Sequence, residues 1–270
     1  MIDSRIISLR ERHCYTDDMP SKYKLLLLDL DGTTVASRED ALPSERVIKA
    51  VNQAQQHLTV ALATGRPLQF AQPVIDALGL KGPGVFNGGA EVIDLTTGEA
   101  LHRQLLPVET LRELVKIALP FGYDVSNDED QYRLLITTPE QITKPATKIL
   151  IKGVDKNTTI NLLEELSAVM GAAAHPTSSW QAGDVLDIHI THEHATKRHG
   201  VEKLIDILSC KQEEVMAIGD SHNDVPLLEA AGLKIAMGNA PEEVKAIADH
   251  VVGSIENDGV AEAIERYILN

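Results

Sequence analysis

Leu25-Leu26-Leu27-Leu28-Asp29-Leu30-Asp31-Gly32-Thr33 is the stretch whose reading decides the fold. Four leucines in a row, introduced by Tyr23-Lys24 and closed by a glycine, suit a central strand covered on both faces. The strand then runs into acid, apolar, acid, glycine. Two acids at one strand end repel each other unless something offsets the charge. A hard divalent cation does so, because Mg²⁺ prefers carboxylate oxygen and keeps positions open for water and phosphate oxygens. Taken alone, the segment also admits a polar strand end with solvated acids.

The pattern recurs in Val215-Met216-Ala217-Ile218-Gly219-Asp220-Ser221-His222-Asn223-Asp224: an apolar strand, a glycine, then an acid cluster. A helix follows from Pro226, with Asn223 or Asp224 near its N-terminus and the proline in its first turn. Two parallel strands ending in carboxylates deliver them to one carboxyl edge, which is where open α/β sheets bind ligands.

Between these stretches the order of elements is regular at first. Ser44 is an N-cap for a helix to about His57, with Val47, Ile48, Val51 and Ala54 on one face. Leu58 to Ala63 is a second buried strand, ending at Thr64-Gly65-Arg66, and Pro67 opens a helix to about Leu78. Strand, helix, strand, helix is the pattern of a doubly wound parallel sheet. A short strand at Val85-Phe86 leads to Asn87-Gly88-Gly89, a hinge composition. From Ala90 to Ile190 the rhythm changes. A hairpin about Thr96-Thr97-Gly98, a helix near Val108 to Leu119 and strands near Gly122–Val125 and Tyr132–Thr137 come first. A strand at Thr147–Lys152, a helix at Asn157–Met170 and a strand at Val185–Ile190 follow, which together make an α+β module. Then come a helix from Lys197 to Leu208, the Asp220 strand, a strand at Leu233–Met237, a helix from Pro241, a strand at His250–Val252 and a helix after Asn257.

Four motifs in this order, Asp29-Leu30-Asp31-Gly32-Thr33, Ala63-Thr64-Gly65-Arg66, Lys197 and Gly219-Asp220-Ser221-His222-Asn223-Asp224, resemble those of the haloacid dehalogenase-like superfamily. The closest likeness is to its Cof-type sugar-phosphatase subfamily, over residues 23 to 270. The resemblance implies an α/β fold: a Rossmann-like doubly wound parallel-sheet core with an inserted α+β cap domain. The expected division is an N-terminal extension at 1–22, core at 23–88, cap at 89–190 and core again at 191–270. Residues 1–22 break the pattern and carry no assigned function, and Met19 offers an alternative start.

Composition bounds the function. A chain of 270 residues with 43% hydrophobic and 3% aromatic content supports two domains with aliphatic cores. A net charge of −15 argues against nucleic acid or an anionic membrane as the main partner. Two cysteines, Cys14 and Cys210, form no disulfide framework, no run reaches the length of a membrane span, and no signal-peptide core leads the chain. A cytoplasmic protein is expected; oligomeric state has no signature here.

Phosphoryl transfer needs an in-line nucleophile, neutralisation of the non-bridging oxygens and a proton for the leaving group. Asp29 is the candidate nucleophile, since a carboxylate can form an aspartyl-phosphate. Asp31, two residues on, is placed to protonate the leaving oxygen and then activate water. The resemblance implies that the Asp31 backbone carbonyl also binds Mg²⁺, with Asp29, Asp220 and Asp224 completing the metal set. Thr64 and Gly65 offer a hydroxyl and amides to a phosphate oxygen, against the alternative of a helix cap. Arg66 is open between the site and a structural salt bridge. Lys197 precedes a helix with Val201, Leu204, Ile205 and Leu208 at helical spacing. It is the expected phosphate-binding lysine, with Lys203 as competitor, and Arg198 stands where the family more often has glycine. Asn223 is expected on metal-bound water, phosphate or the lysine, Asn239 in a loop lining the pocket, and Asn87 where core meets cap. The histidines 189, 192, 194 and 199 do not make a zinc motif, because Thr196 occupies the position of the second histidine in H-E-x-x-H. Trp180, Asp184, Asp187 and His189 are candidates for choosing the substrate.

The expected function is a Mg²⁺-dependent phosphatase for a small phosphorylated metabolite, foremost a sugar phosphate. Its rivals are a phosphomutase on the same scaffold and a non-catalytic phosphometabolite sensor.

Overall fold

The computed structural model describes residues 22–38, 40–127, 135–179 and 184–270. Most of the expected N-terminal extension, the first part of the strand expected at Tyr132–Thr137, and Trp180 lie outside the described residues. By internal contacts the chain divides into two units: one runs to His102 and resumes at Thr196, the other is Arg103–Ala195.

In the first unit, β1 (Leu25–Leu28) is an interior strand of a five-stranded sheet. It pairs in parallel with β2 (Thr59–Leu62) on one side and with β10 (Val215–Gly219) on the other, Leu25 facing both Thr59 and Val215. Beyond β10 lie β11 (Leu233–Ala236) and the two-residue β12 (His250–Val251). The β3 strand (Pro83–Phe86) joins next to β2 through the Ala63–Val85 bridge and pairs antiparallel with β4 (Glu91–Asp94), which leads to β5 (Ala100–Arg103).

The alternation of side chains along β1 explains why all four leucines are needed. Leu26 and Leu28 share a core with α1 (Glu45–Ala54), α2 (Leu68–Leu78) and α8 (Gly259–Tyr267). Leu25 and Leu27 share the other, with α5 (Lys197–Leu208), α6 (Val225–Glu229) and α7 (Glu242–Ile247). All four are fully buried, each contributing ~2 kcal/mol of apolar burial, which is the gain expected of a strand sandwiched between helices.

The second unit has α3 (Val108–Ala118) and α4 (Lys156–Ser167) packed on one face of an antiparallel sheet of order β6-β7-β9-β8. The strands are β6 (Asp124–Asn127), β7 (Lys148–Asp155), β8 (Ala172–Ser178) and β9 (Val185–His192). No strand was expected at β8, whose three alanines and Pro176 have little strand propensity. It sits at the sheet edge, where a residue without an N–H is tolerated. The division after His102 differs from the cut expected at residue 89, because β4 pairs with β3 and keeps the hairpin with the first unit.

Candidate active site

Parallel register sets the site. Asp29 is the first residue after β1, held there by its N–H donating to the Ile218 carbonyl at 3.0 Å. Asp220 is the first residue after β10, the neighbouring strand. Both acids therefore emerge at one edge of the sheet, and the Thr34 hydroxyl ties the Asp29 carbonyl back at 2.6 Å.

Asp29 is 5% exposed and Asp224 wholly buried. One carboxylate oxygen from each of Asp29, Asp220 and Asp224 lies within 4.8 Å of the other two. Between Asp29 and Asp224 stands the ammonium of Lys197, itself 7% exposed, bonded to Asp29 Oδ1 and, at 2.5 Å, to Asp224 Oδ1. The lysine reaches the acids because it opens α5, whose N-cap Thr196 accepts the His199 N–H. Its backbone is packed close: a Cβ on Gly89 (φ +109°) would lie 1.9 Å from the Thr196 carbonyl oxygen.

Asp224 does two jobs with two oxygens. Oδ1 takes the lysine, while Oδ2 accepts the N–H of Asp220 at 3.1 Å, the N–H of Ser221 at 3.0 Å and the Ser221 hydroxyl at 2.8 Å. That capping turn fixes the loop after β10. Asp220 is held in turn by the Thr33 hydroxyl at 2.8 Å and Asn239 Nδ2 at 3.3 Å. Its carboxylate lies against Gly32 (φ +89°), where a Cβ would sit 2.3 Å from Oδ2. The glycine of the first motif is therefore needed twice, for its backbone angle and for the room it leaves.

The charges are tuned by burial. Burial pushes the Asp29 carboxyl up to about 7, with Asp224 and Asp220 adding to the rise and Lys197 opposing it. Asp220 is likewise raised, mainly by burial, against the Thr33 hydrogen bond. Burial alone would lower the Lys197 ammonium, but Asp29 and Asp224 outweigh it and keep it protonated. Three crowded carboxylates facing one lysine leave an excess of negative charge. An all-oxygen donor set with that excess fits Mg²⁺ and does not fit a soft metal.

The remaining candidates fall around this centre. Asp31 does not join the carboxylate cluster; its side chain, 37% exposed, is paired with Arg66. Thr64 is buried, and its hydroxyl accepts the Arg66 N–H at 3.1 Å, which leaves its own proton to donate. It does not cap α2, whose N-cap is Pro67. Gly65 is exposed with open space where a Cβ would be. Asn87 adopts a left-handed conformation (φ +53°) and donates its N–H to the Arg66 carbonyl, so it abuts the second motif. Its Nδ2 bonds buried Glu91 at 2.7 Å, while its buried Oδ1 has no partner among the described residues. Asn239 bonds the Gly32 carbonyl at 2.9 Å and accepts the Ile255 N–H, cross-linking three loops. Asn223 is exposed, and its Oδ1 shares the Ser221 hydroxyl with Asp224. Asp184 is in an exposed pair with Lys156; Asp187 and His189 lie on β9 of the second unit. Thr33, Thr34 and Ser221, whose hydroxyls hold the acids, were not singled out from sequence. Thr33 and Ser221 lie inside the quoted motifs, which was the available signal.

The family follows from comparison. A model of the haloacid dehalogenase-like hydrolases matches residues 26–132 and 124–264. The chain belongs to that family. It is 28% identical over 248 residues, 91% of this chain and 96% of the other, to phosphoglycolate phosphatase 1 of Saccharolobus solfataricus. Among solved structures it resembles a haloacid dehalogenase-like hydrolase from Bacteroides thetaiotaomicron, with TM-score 0.76, 28% identity and coverage of 90% and 99% of the two chains. A subclass IIB sugar phosphatase of the same superfamily shares the fold at TM-score 0.70 and 21% identity, over 90% of this chain and 98% of that one. The enzyme class is that of phosphoric monoester hydrolases. Among the described residues no helix is long and apolar enough to cross a membrane.

Proposed function

We propose that this haloacid dehalogenase-like hydrolase is a Mg²⁺-dependent phosphatase that removes phosphate from a small metabolite, foremost a sugar phosphate, through an aspartyl-phosphate on Asp29. The observation that carries the reading is the buried Asp29–Lys197–Asp224 arrangement at the end of the central strand, with Asp220 beside it. A nucleophilic carboxylate needs a neighbouring cation if it is to face a phosphate dianion, and Lys197 supplies one.

The carboxylates of Asp29, Asp220 and Asp224 and the carbonyl of Asp31 would hold the Mg²⁺. Bound there, the ion would neutralise phosphoryl oxygens and oppose the rise that burial imposes on Asp29. Asp29 attacks phosphorus in line. The bond to the leaving oxygen breaks, its electron pair goes to that oxygen, and Asp31 gives it a proton. In the second half-reaction Asp31 takes a proton from water as the water oxygen attacks phosphorus, and the Asp29–phosphorus bond breaks. Lys197, Thr64 and the Gly65 amide bind the phosphate oxygens, with Asn223, Asn87 and Asn239 around them. A sugar phosphate is favoured by the Cof-type resemblance and by the subclass IIB relative; phosphoglycolate belongs in the same panel.

The test is phosphate release from phosphorylated sugars and phosphoglycolate, with Mg²⁺ and with EDTA, in wild type and Asp29→Asn. Metal-dependent release lost in the variant supports the reading. Release that survives Asp29→Asn refutes it, and isomer formation without free phosphate moves the chain to the mutases.

A further inference from the structure

The side chain of Arg66 is held on every side. Its Nε donates to Asp31 Oδ2 at 2.9 Å and its Nη2 to Asp31 Oδ1 at 2.5 Å, a two-pronged grip on one carboxylate. The same Nη2 donates to the Arg38 carbonyl at 2.9 Å, and Nη1 to the Phe70 carbonyl at 3.2 Å. Arg38 belongs to the loop after β1 and Phe70 to the first turn of α2, so the guanidinium is anchored to two elements besides Asp31. Its own backbone is fixed too, the N–H on the Thr64 hydroxyl and the carbonyl on the Asn87 N–H.

Exposure divides the pair unevenly. The Arg66 side chain is 10% exposed and that of Asp31 37%. A salt bridge with one partner this open adds little stability. What a forked guanidinium does add is direction: it stops rotation of the carboxylate and leaves the lone pairs it does not use facing outward. A carboxylate between two residues of left-handed or turn backbone, with no such grip, would sample several rotamers.

We propose that Arg66 is the positioning residue for Asp31, holding its carboxylate in the one orientation from which it hands a proton to the leaving oxygen and takes one from water. This rests on the reading of Asp31 as acid and base given above, and it gives the second motif's arginine a part in the chemistry without contact to the phosphate.

The test uses two substrates that differ in how much they need a proton. Phenyl phosphate expels a phenol of pKa about 10, like that of tyrosine; p-nitrophenyl phosphate expels a far more acidic one. In single turnovers of the full chain with Mg²⁺, Arg66→Ala is expected to slow phenol release ~100-fold, the scale of general acid catalysis, and p-nitrophenol release less than ~3-fold. Arg66→Lys, which keeps the charge and loses the fork, follows Arg66→Ala. In an Asp31→Asn background, adding Arg66→Ala changes phenol release by less than ~3-fold, because the group it positions is already gone. Equal losses on both substrates, no loss on either, or a further large loss on top of Asp31→Asn overturns the proposal. If circular dichroism shows Arg66→Ala unfolded, the lysine and glutamine variants carry the same measurements. Wild type that releases neither phenol, or Asp29→Asn that still releases both, removes the phosphatase reading itself and this proposal with it.

Discussion

Replacing Gly89 by alanine tests how tightly Lys197, the ammonium between Asp29 and Asp224, is held by packing behind it. The new Cβ would lie 1.9 Å from the Thr196 carbonyl oxygen, 2.3 Å from its carbon and 2.8 Å from the Lys197 nitrogen. All three are backbone atoms, so no side chain can swing away, and α5 has to retreat by on the order of 1 Å to reach van der Waals distance. Thr196 is the N-cap of that helix and its carbonyl accepts the Gly200 N–H at 3.0 Å, so the retreat moves the first turn and Lys197 with it. Forcing alanine to φ +109° costs ~1–3 kcal/mol and the overpacking another ~1–3 kcal/mol. A 1 Å displacement of a positioned group costs ~100-fold in turnover. Gly88→Ala is the control: its φ is +68° and nothing lies within 4 Å of the added Cβ, so only the left-handed backbone cost of ~1 kcal/mol applies. Urea unfolding followed by circular dichroism, with phosphate release on the same samples, gives both numbers. The reasoning fails if Gly89→Ala is within ~0.5 kcal/mol of Gly88→Ala, a surface-substitution difference, or keeps wild-type turnover.

Three further outcomes follow from the charges. Mg²⁺ at 100 times its dissociation constant should stabilise the protein by ~2.7 kcal/mol in a thermal melt; Asp220→Asn should abolish the shift, and a shift that persists would place the ion elsewhere. Without metal, Asp29 has a folded pKa raised to about 7, so its favourable contribution is complete below the ordinary carboxylate range and is lost as pH rises through about 7. Melts in EDTA should therefore find Asp29→Asn more stable than wild type at pH 8 and not at pH 4; the opposite order would mean that the Lys197 bond outweighs burial. Asp155 behaves inversely. Its carboxyl is held well below the usual range by Thr158, then by Tyr123 and Asn157, as the N-cap of α4. The stability it adds is present above about pH 4 and disappears as pH falls further, so the gap between wild type and Asp155→Ala in urea should close in acid.

What could be read from sequence was what a short window contains. Leu25–Leu28 announced a buried strand because apolarity on both faces needs no partner to be recognised, and the acids at Asp29 and Asp220 announced an edge with chemistry. Lys197 was legible through ordered motifs, not through its own surroundings. The Arg66–Asp31 grip spans 35 residues and the Thr33–Asp220 bond 187, and both depend on how loops from different strands meet. No local pattern encodes that meeting. The β8 strand escaped for another reason: Ala172-Ala173-Ala174 and Pro176 oppose strand propensity, and pairing with β9 together with packing of Ala172 and Ala174 on the core overrides it.

The register of β1 has a consequence for the chain while it is being made. One edge of the Leu25–Leu28 strand is closed by β2 soon after it is synthesised, but the other waits for Val215–Ile218. At ordinary translation rates the about 190 residues between them take roughly 10–40 s. Throughout that interval a fully apolar strand carries an unpaired edge, the kind of surface that recruits other chains. Folding yield in the cell should then depend on what shields this leucine edge until the C-terminal half arrives, and slowing synthesis between residues 90 and 215 should increase chaperone engagement or aggregation.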